Sequence, residues 1–230
     1  MIGGLQKLTL LDYPGKVACT VFLTGCNFRC PFCHNAPLVL SPDPADCLGS
    51  DEVLEYLESR RGRLDGVCVT GGEPLLDPET PGLLREIKRL GFSVKLDTNG
   101  SFPDVLEAVI AEGLVDHVAM DIKTDPAHYS DAAGCRADVG AVCRSADLLR
   151  GGAVSFEFRT TVMRGLHTAE SIEEIGKRFG GDYRYFLQNY VKPEFPVGDS
   201  SAFDAFDENE MKFLLTIASK YFTKAEIRGK

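Results

Sequence analysis

From Val17 onward, short apolar runs alternate with stretches whose apolar residues recur at helical spacing. The runs Val17–Thr24, Gly66–Thr70, Ser93–Asp97, Val115–Asp121, Val154–Thr161 and Tyr183–Leu187 read as strands. Between and after them the amphipathic pattern places helices at Ser50–Arg61, Glu79–Leu90, Pro103–Glu112, Val139–Arg150, Thr168–Phe179 and Glu208–Tyr221. Ser50, followed by Asp51 and Glu52, reads as an N-cap with acidic residues in the first turn, and Gly91 after Leu90 as a helix stop. Strands alternating with helices are the pattern of a parallel sheet built from βα units, and six of them fit an α/β fold of the partial (βα)6, TIM-like barrel kind. The proline- and glycine-bearing stretch Lys192–Phe203 reads as an irregular loop. With no internal repeat and no linker, residues 1–230 read as one domain, with a core over about 17–190 and a C-terminal helix over about 208–221.

Composition narrows the partners. The chain has 230 residues, 44% of them hydrophobic, enough for one substantial core. Its 25 basic and 34 acidic residues leave a net charge of −9, which argues against a nucleic-acid backbone as partner. No apolar stretch reaches the roughly 18 residues of a membrane span, and the start lacks a basic segment leading into an apolar run. Eight cysteines in such a chain read as thiols, so a cytoplasmic location is expected.

Three of those thiols are closely spaced. Cys26, Cys30 and Cys33 follow the first strand within Gly25-Cys26-Asn27-Phe28-Arg29-Cys30-Pro31-Phe32-Cys33-His34-Asn35. Three thiolates on one loop can hold three irons of a cubane cluster and leave the fourth iron open. Zinc, with His34 as fourth ligand, is the alternative, although adjacent ligands fit poorly on one tetrahedron. In a parallel barrel the loops after the strand ends build the active site. Gly71-Gly72-Glu73, Asp97-Thr98-Asn99-Gly100 and Asp121-Ile122-Lys123 fall at such ends. Strict alternation on the fifth strand places Glu157, Arg159 and Thr161 on one face, with an Arg159–Glu157 surface pair as the bland reading. Cys19 and Cys68 lie in apolar runs and read as buried small hydrophobes, while Cys47, Cys135 and Cys143 lack the spacing of a second cluster.

The CX3CX2C run resembles the signature of the radical S-adenosylmethionine (SAM) enzymes, which implies a radical SAM barrel, a [4Fe–4S] cluster on Cys26, Cys30 and Cys33, and SAM chelated to the open iron. Gly71-Gly72-Glu73 resembles the motif that receives the methionyl ammonium of SAM in that family, and Phe32 stands at its aromatic position near the adenine. The Asp97-Thr98 and Asp121-Ile122-Lys123 segments, with Cys33-His34-Asn35 and Leu11-Asp12-Tyr13-Pro14-Gly15, resemble a narrower group, the glycyl-radical-enzyme activases. That resemblance implies Asp97, Thr98 and Asp121 as ligands of a monovalent cation, and Lys123 and Arg159 near the SAM carboxylate. It also implies reductive cleavage of SAM to a 5′-deoxyadenosyl radical, which takes a hydrogen from a glycine Cα of a glycyl radical enzyme. Anaerobic ribonucleoside-triphosphate reductase, the class III ribonucleotide reductase, is the partner it points to, with a flavodoxin- or ferredoxin-type electron donor. A radical SAM enzyme acting on a small molecule is the alternative.

Overall fold

The computed structural model describes residues 1–40 and 44–229. Among them, one sheet contains β1 (Ile2–Thr9), β2 (Ala18–Leu23), β3 (Gly66–Gly71), β4 (Ser93–Thr98), β5 (His117–Asp121), β6 (Ser155–Val162), β7 (Gly181–Asn189) and β8 (Phe222–Arg228). The helices are α1 (Ala36–Leu40), α2 (Ser50–Ser59), α3 (Thr80–Arg89), α4 (Pro103–Ala111), α5 (Tyr129–Ala133), α6 (Val139–Arg150), α7 (Ala169–Phe179) and α8 (Glu208–Ala218). Spatial order follows chain order, and every neighbouring pair is parallel except β1 with β2. Crossovers between parallel strands are nearly always right-handed, so repeating the step in one direction winds the helices onto one face. The sheet stays open, with β1 and β8 as its two edges.

Side chains that alternate along each strand divide between the two faces. On the helix side, Val67, Val69, Leu96, Val118, Met120, Phe158 and Leu187 are buried in one core with Leu57, Leu84, Ile87, Leu106, Val142, Leu149 and Ile175. The other face carries Thr20, Cys68, Lys95, Asp97, Glu157 and Arg159. Burial of an ionic face is tolerable only with partners, and they are present: Arg228 on β8 grips the buried Glu157 carboxylate with two donors, one at 2.8 Å. The bland alternative, an Arg159–Glu157 surface pair, does not form, because Arg159 turns instead to acids on β4 and β5.

All six expected strands and all six expected helices are present within a few residues. The expected barrel had six strands; the sheet adds edge strands β1 and β8. β8 is mostly exposed and polar, and β1 carries two glycines and an exposed Gln6-Lys7-Leu8 stretch, so their apolar signal is thin. The short helices α1 and α5 were also unforeseen. Ser50 is the first helical residue rather than the cap, since Gly49 precedes α2 without a capping side chain. Residues 192–203 form the irregular connection expected.

Candidate active site

The loop after β2 carries Cys26, Cys30 and Cys33 into a pocket of about 200 Å³. Phe28, Phe32, His34, Asn35, Val39, Thr70, Gly71, Gly72, Asp97, Thr98, Asn99, Asp121, Lys123, Arg159 and Thr161 complete its wall. Four successive strand ends, β3 to β6, thus meet the cysteine loop of β2 at one rim, as the parallel arrangement dictates. Every expected site residue except Glu73 lines this pocket.

The cysteine loop is locked by backbone contacts. Gly72 N–H donates to the Leu23 carbonyl at 2.9 Å and Glu73 N–H to the Gly25 carbonyl at 2.9 Å. Gly71 has φ +121°, and a Cβ there would meet Leu23 backbone at 2.3 Å; at Gly72 it would lie 1.9 Å from the Gly25 oxygen. Only glycine allows the β3 end to lie so close to the loop. Asn35 adds a bond from Nδ2 to the Gly71 carbonyl at 2.7 Å.

Glu73 faces inward beneath the pocket. Its buried carboxylate accepts from Leu75 N–H (3.1 Å), Thr98 Oγ1 (2.8 Å) and Asn99 N–H (2.7 Å), tying the β3 loop to the β4 loop. Burial pushes its pKa up to about 7, against the hydrogen bonds from Asn99, Thr98 and Leu75. Asn99 reaches on to Asn27 Oδ1 at 3.0 Å, so the acid anchors the cysteine loop at one remove.

Opposite the cysteines lies an ionic cluster. Arg159 donates from Nε to Asp121 at 2.8 Å and from Nη1 to Asp97 at 3.2 Å, while Lys123 donates to Asp121 at 3.0 Å and Lys95 to Asp97. Asp97 and Asp121 therefore serve this cluster rather than capping turns. Burial would raise the Asp121 pKa, but Arg159 and Lys123 bring it down to about 2. Burial works against the charged form of Lys123 too; Asp121 outweighs it and holds the ammonium protonated.

Two residues carried no sequence signal for this site. His167, in the loop before α7, donates from Nε2 to the Lys123 carbonyl at 2.9 Å and accepts from Met163 N–H at 3.3 Å. Burial drives its pKa down to about 4, so the ring is neutral. Tyr129, fully buried, accepts from Lys123 N–H at 3.2 Å and packs edge-on against Phe28. Both fix the backbone that presents Lys123.

The three thiols share one wall, yet no three of the described His, Cys, Asp or Glu side chains converge on a single-ion geometry. Three thiolates on one wall suit a multi-iron cluster, in which each can take its own iron. Burial pushes the Cys30 thiol up to about 12. Among the remaining cysteines, Cys135 lies nearby but outside the pocket wall, its Sγ 3.4 Å from the Asn27 carbonyl.

A profile of the radical SAM superfamily matches residues 20–178. A Methanocaldococcus jannaschii protein assigned as a glycyl-radical enzyme activating enzyme is 31% identical over 99% of this chain and 95% of its own length. The 7-carboxy-7-deazaguanine synthase of Methanopyrus kandleri is 32% identical over 50% of this chain and 52% of its own. The anaerobic ribonucleoside-triphosphate reductase-activating protein of Escherichia coli is 30% identical over 35% of this chain and 53% of its own. Among solved structures, Streptococcus suis SuiB bound to S-adenosylmethionine superposes with a TM-score of 0.70 at 15% identity, over 91% of this chain and 52% of SuiB.

Proposed function

This chain belongs to the radical SAM superfamily, whose cofactors are a [4Fe–4S] cluster and SAM, and on that premise we propose that it activates a glycyl radical enzyme by removing a glycine Cα hydrogen. The observation that carries the reading is the meeting of Cys26, Cys30 and Cys33 with Gly71, Gly72, Lys123 and Arg159 around one pocket. Similarity over 99% of this chain to a protein named for glycyl-radical enzyme activation supports the choice of substrate class.

On this reading Cys26, Cys30 and Cys33 hold the cluster. Phe32 and the Gly71-Gly72 backbone would hold SAM, and Lys123 and Arg159 would supply the cations for its methionyl carboxylate. When bound, the cluster and SAM supply the one-electron chemistry that creates the hydrogen-abstracting radical. The protein's own work is placement. On the wall Lys123 and Arg159 are matched by Asp97 and Asp121, and the two cations are the groups that can face the methionyl carboxylate. Glu73 spends its carboxylate on the Thr98 and Asn99 loop, and so acts on SAM through the loop rather than by contact. Phe28 and Phe32 give the pocket an apolar side that excludes water.

Anaerobic ribonucleoside-triphosphate reductase is the partner this reading favours, supported by the shared segment with the Escherichia coli activating protein. A flavodoxin- or ferredoxin-type carrier would supply the electron. The open sheet favours a protein substrate, since a peptide loop can enter past an unclosed edge. The test is anaerobic incubation of the reduced enzyme, SAM and the reductase, read by electron paramagnetic resonance. A glycyl radical signal that grows as SAM is consumed is expected. The similarity to a deazaguanine synthase supports a second reading, with a small-molecule substrate. Turnover of such a molecule, with no glycyl signal from any candidate reductase, would decide for it.

A further inference from the structure

The activase resemblance implies an alkali cation on Asp97, Thr98 and Asp121, and such hard oxygen donors suit it when they face an open site. Here they are engaged. Asp97 Oδ2 accepts from Arg159 Nη1 at 3.2 Å and Oδ1 from Lys95, while Asp121 Oδ1 accepts from Arg159 Nε at 2.8 Å and Oδ2 from Lys123 at 3.0 Å. Thr98 Oγ1 donates to Glu73 at 2.8 Å and accepts from Gly100 N–H at 3.1 Å.

A carboxylate oxygen has a second lone pair, so occupancy alone does not exclude a metal ion. The surrounding charge is the stronger argument. Lys95, Arg159 and Lys123 between them contact all four oxygens of the two carboxylates, so an alkali ion bound there would sit directly against their positive charge, and the nearby Glu157 is already matched by Arg228. Strand register explains why Arg159 reaches both acids. Asp121 stands directly opposite Arg159 in the β5–β6 ladder, and Asp97 faces Ala119, whose small side chain leaves the guanidinium free passage across β5. A planar fork of donors spans two separated carboxylates in a way that an ammonium cannot.

We propose that the Arg159 guanidinium takes the place of the alkali cation, as a built-in counter-ion shared by Asp97 and Asp121. Its Nη2 has no hydrogen-bond partner among the described residues and is the donor left for the methionyl carboxylate. The last point rests on the SAM placement proposed above; the counter-ion role does not.

Thallium(I), a spectroscopic stand-in for potassium, separates the two. Titrated into the cluster-loaded protein and followed by thallium NMR, it should show no saturable site in the wild type. A saturable site should appear in Arg159→Ala and vanish again in Arg159→Ala/Asp121→Asn. Saturable binding to the wild type that is lost in Asp97→Asn overturns the proposal, whether or not the alanine variant folds. In parallel, SAM affinity is measured by equilibrium dialysis with potassium or tetramethylammonium as the sole cation. Wild-type affinity should agree within about twofold between the two salts, and Arg159→Ala should bind about tenfold more weakly without potassium. Wild-type affinity that collapses in tetramethylammonium overturns the proposal. An Arg159→Ala affinity equal to wild type in both salts, with thallium absent from the wild type, would count against the SAM placement alone.

Discussion

His167 Nε2 lies 2.9 Å from the carbonyl oxygen of Lys123, so a neutral ring from the loop before α7 fixes the backbone of a cation that lines the pocket. A charged ring would have to give up its bond from Met163 N–H, because Nδ1 could no longer accept.

Stability should therefore fall on the acid side. The unfolded ring titrates near 6.5 and the folded one near 4, so the unfolded state binds more protons between these values. The His167 contribution is complete above pH 6.5 and is lost as pH falls toward 4, up to about 3 kcal/mol. His167→Gln keeps a donor for the Lys123 carbonyl and removes the titration. Anaerobic urea unfolding at successive pH values should show a flatter acid limb in this variant.

Glu73 should act in the opposite sense. Its folded pKa of about 7 exceeds the ordinary 4.5, so the folded state binds more protons in that window and stability is lost as pH rises through it. Across the overlap with His167 the two slopes largely cancel in the wild type. Glu73→Gln should expose the rising slope of His167, and a pH profile of Glu73→Gln no steeper than wild type would contradict the assignment.

Iron content should follow the pocket wall. Replacing Cys26, Cys30 or Cys33 singly with Ala should abolish the cluster absorbance and SAM cleavage. Cys135→Ser should retain full iron loading, because its sulfur rests on the Asn27 carbonyl outside that wall. Anaerobic reconstitution followed by iron analysis checks both.

Gly72→Ala should be severe for its size. The new methyl would sit 1.9 Å from the Gly25 carbonyl oxygen, a backbone atom of the cysteine loop that has no side-chain freedom to yield. A loss of about 3 kcal/mol is expected, with poor cluster retention. By contrast Gly82→Ala, on the outer surface of α3 where a Cβ meets nothing, should leave both unchanged.

The sheet's six central strands were legible because each is an apolar run bounded by turn residues, and burial on the helix side enforces that composition. β1 and β8 were not, since edge strands such as Phe222–Arg228 are built from exposed and charged residues whose strand role depends on a neighbour. The pocket residues were legible as short motifs at strand ends. The inward turn of Glu73 was hidden, because its donors Thr98 and Asn99 come from the next strand. His167 left no mark at all: an isolated histidine in a loop acquires its partner only when β5 and the β6–α7 connection pack together. Arg159 stood between, its face correctly read from alternation and its partners fixed only by the ladder register.

Because neighbours in the sheet are neighbours in the chain, each strand can dock on one already in place as synthesis proceeds. The thiol loop emerges with the earliest units, and Asp97 and Asp121 follow while their shared guanidinium is still unmade. For that interval the nascent sheet carries two acids on neighbouring strands with only the lysines to quiet them. Arrival of β6 ends it, so the last element to complete the pocket also seals its charge.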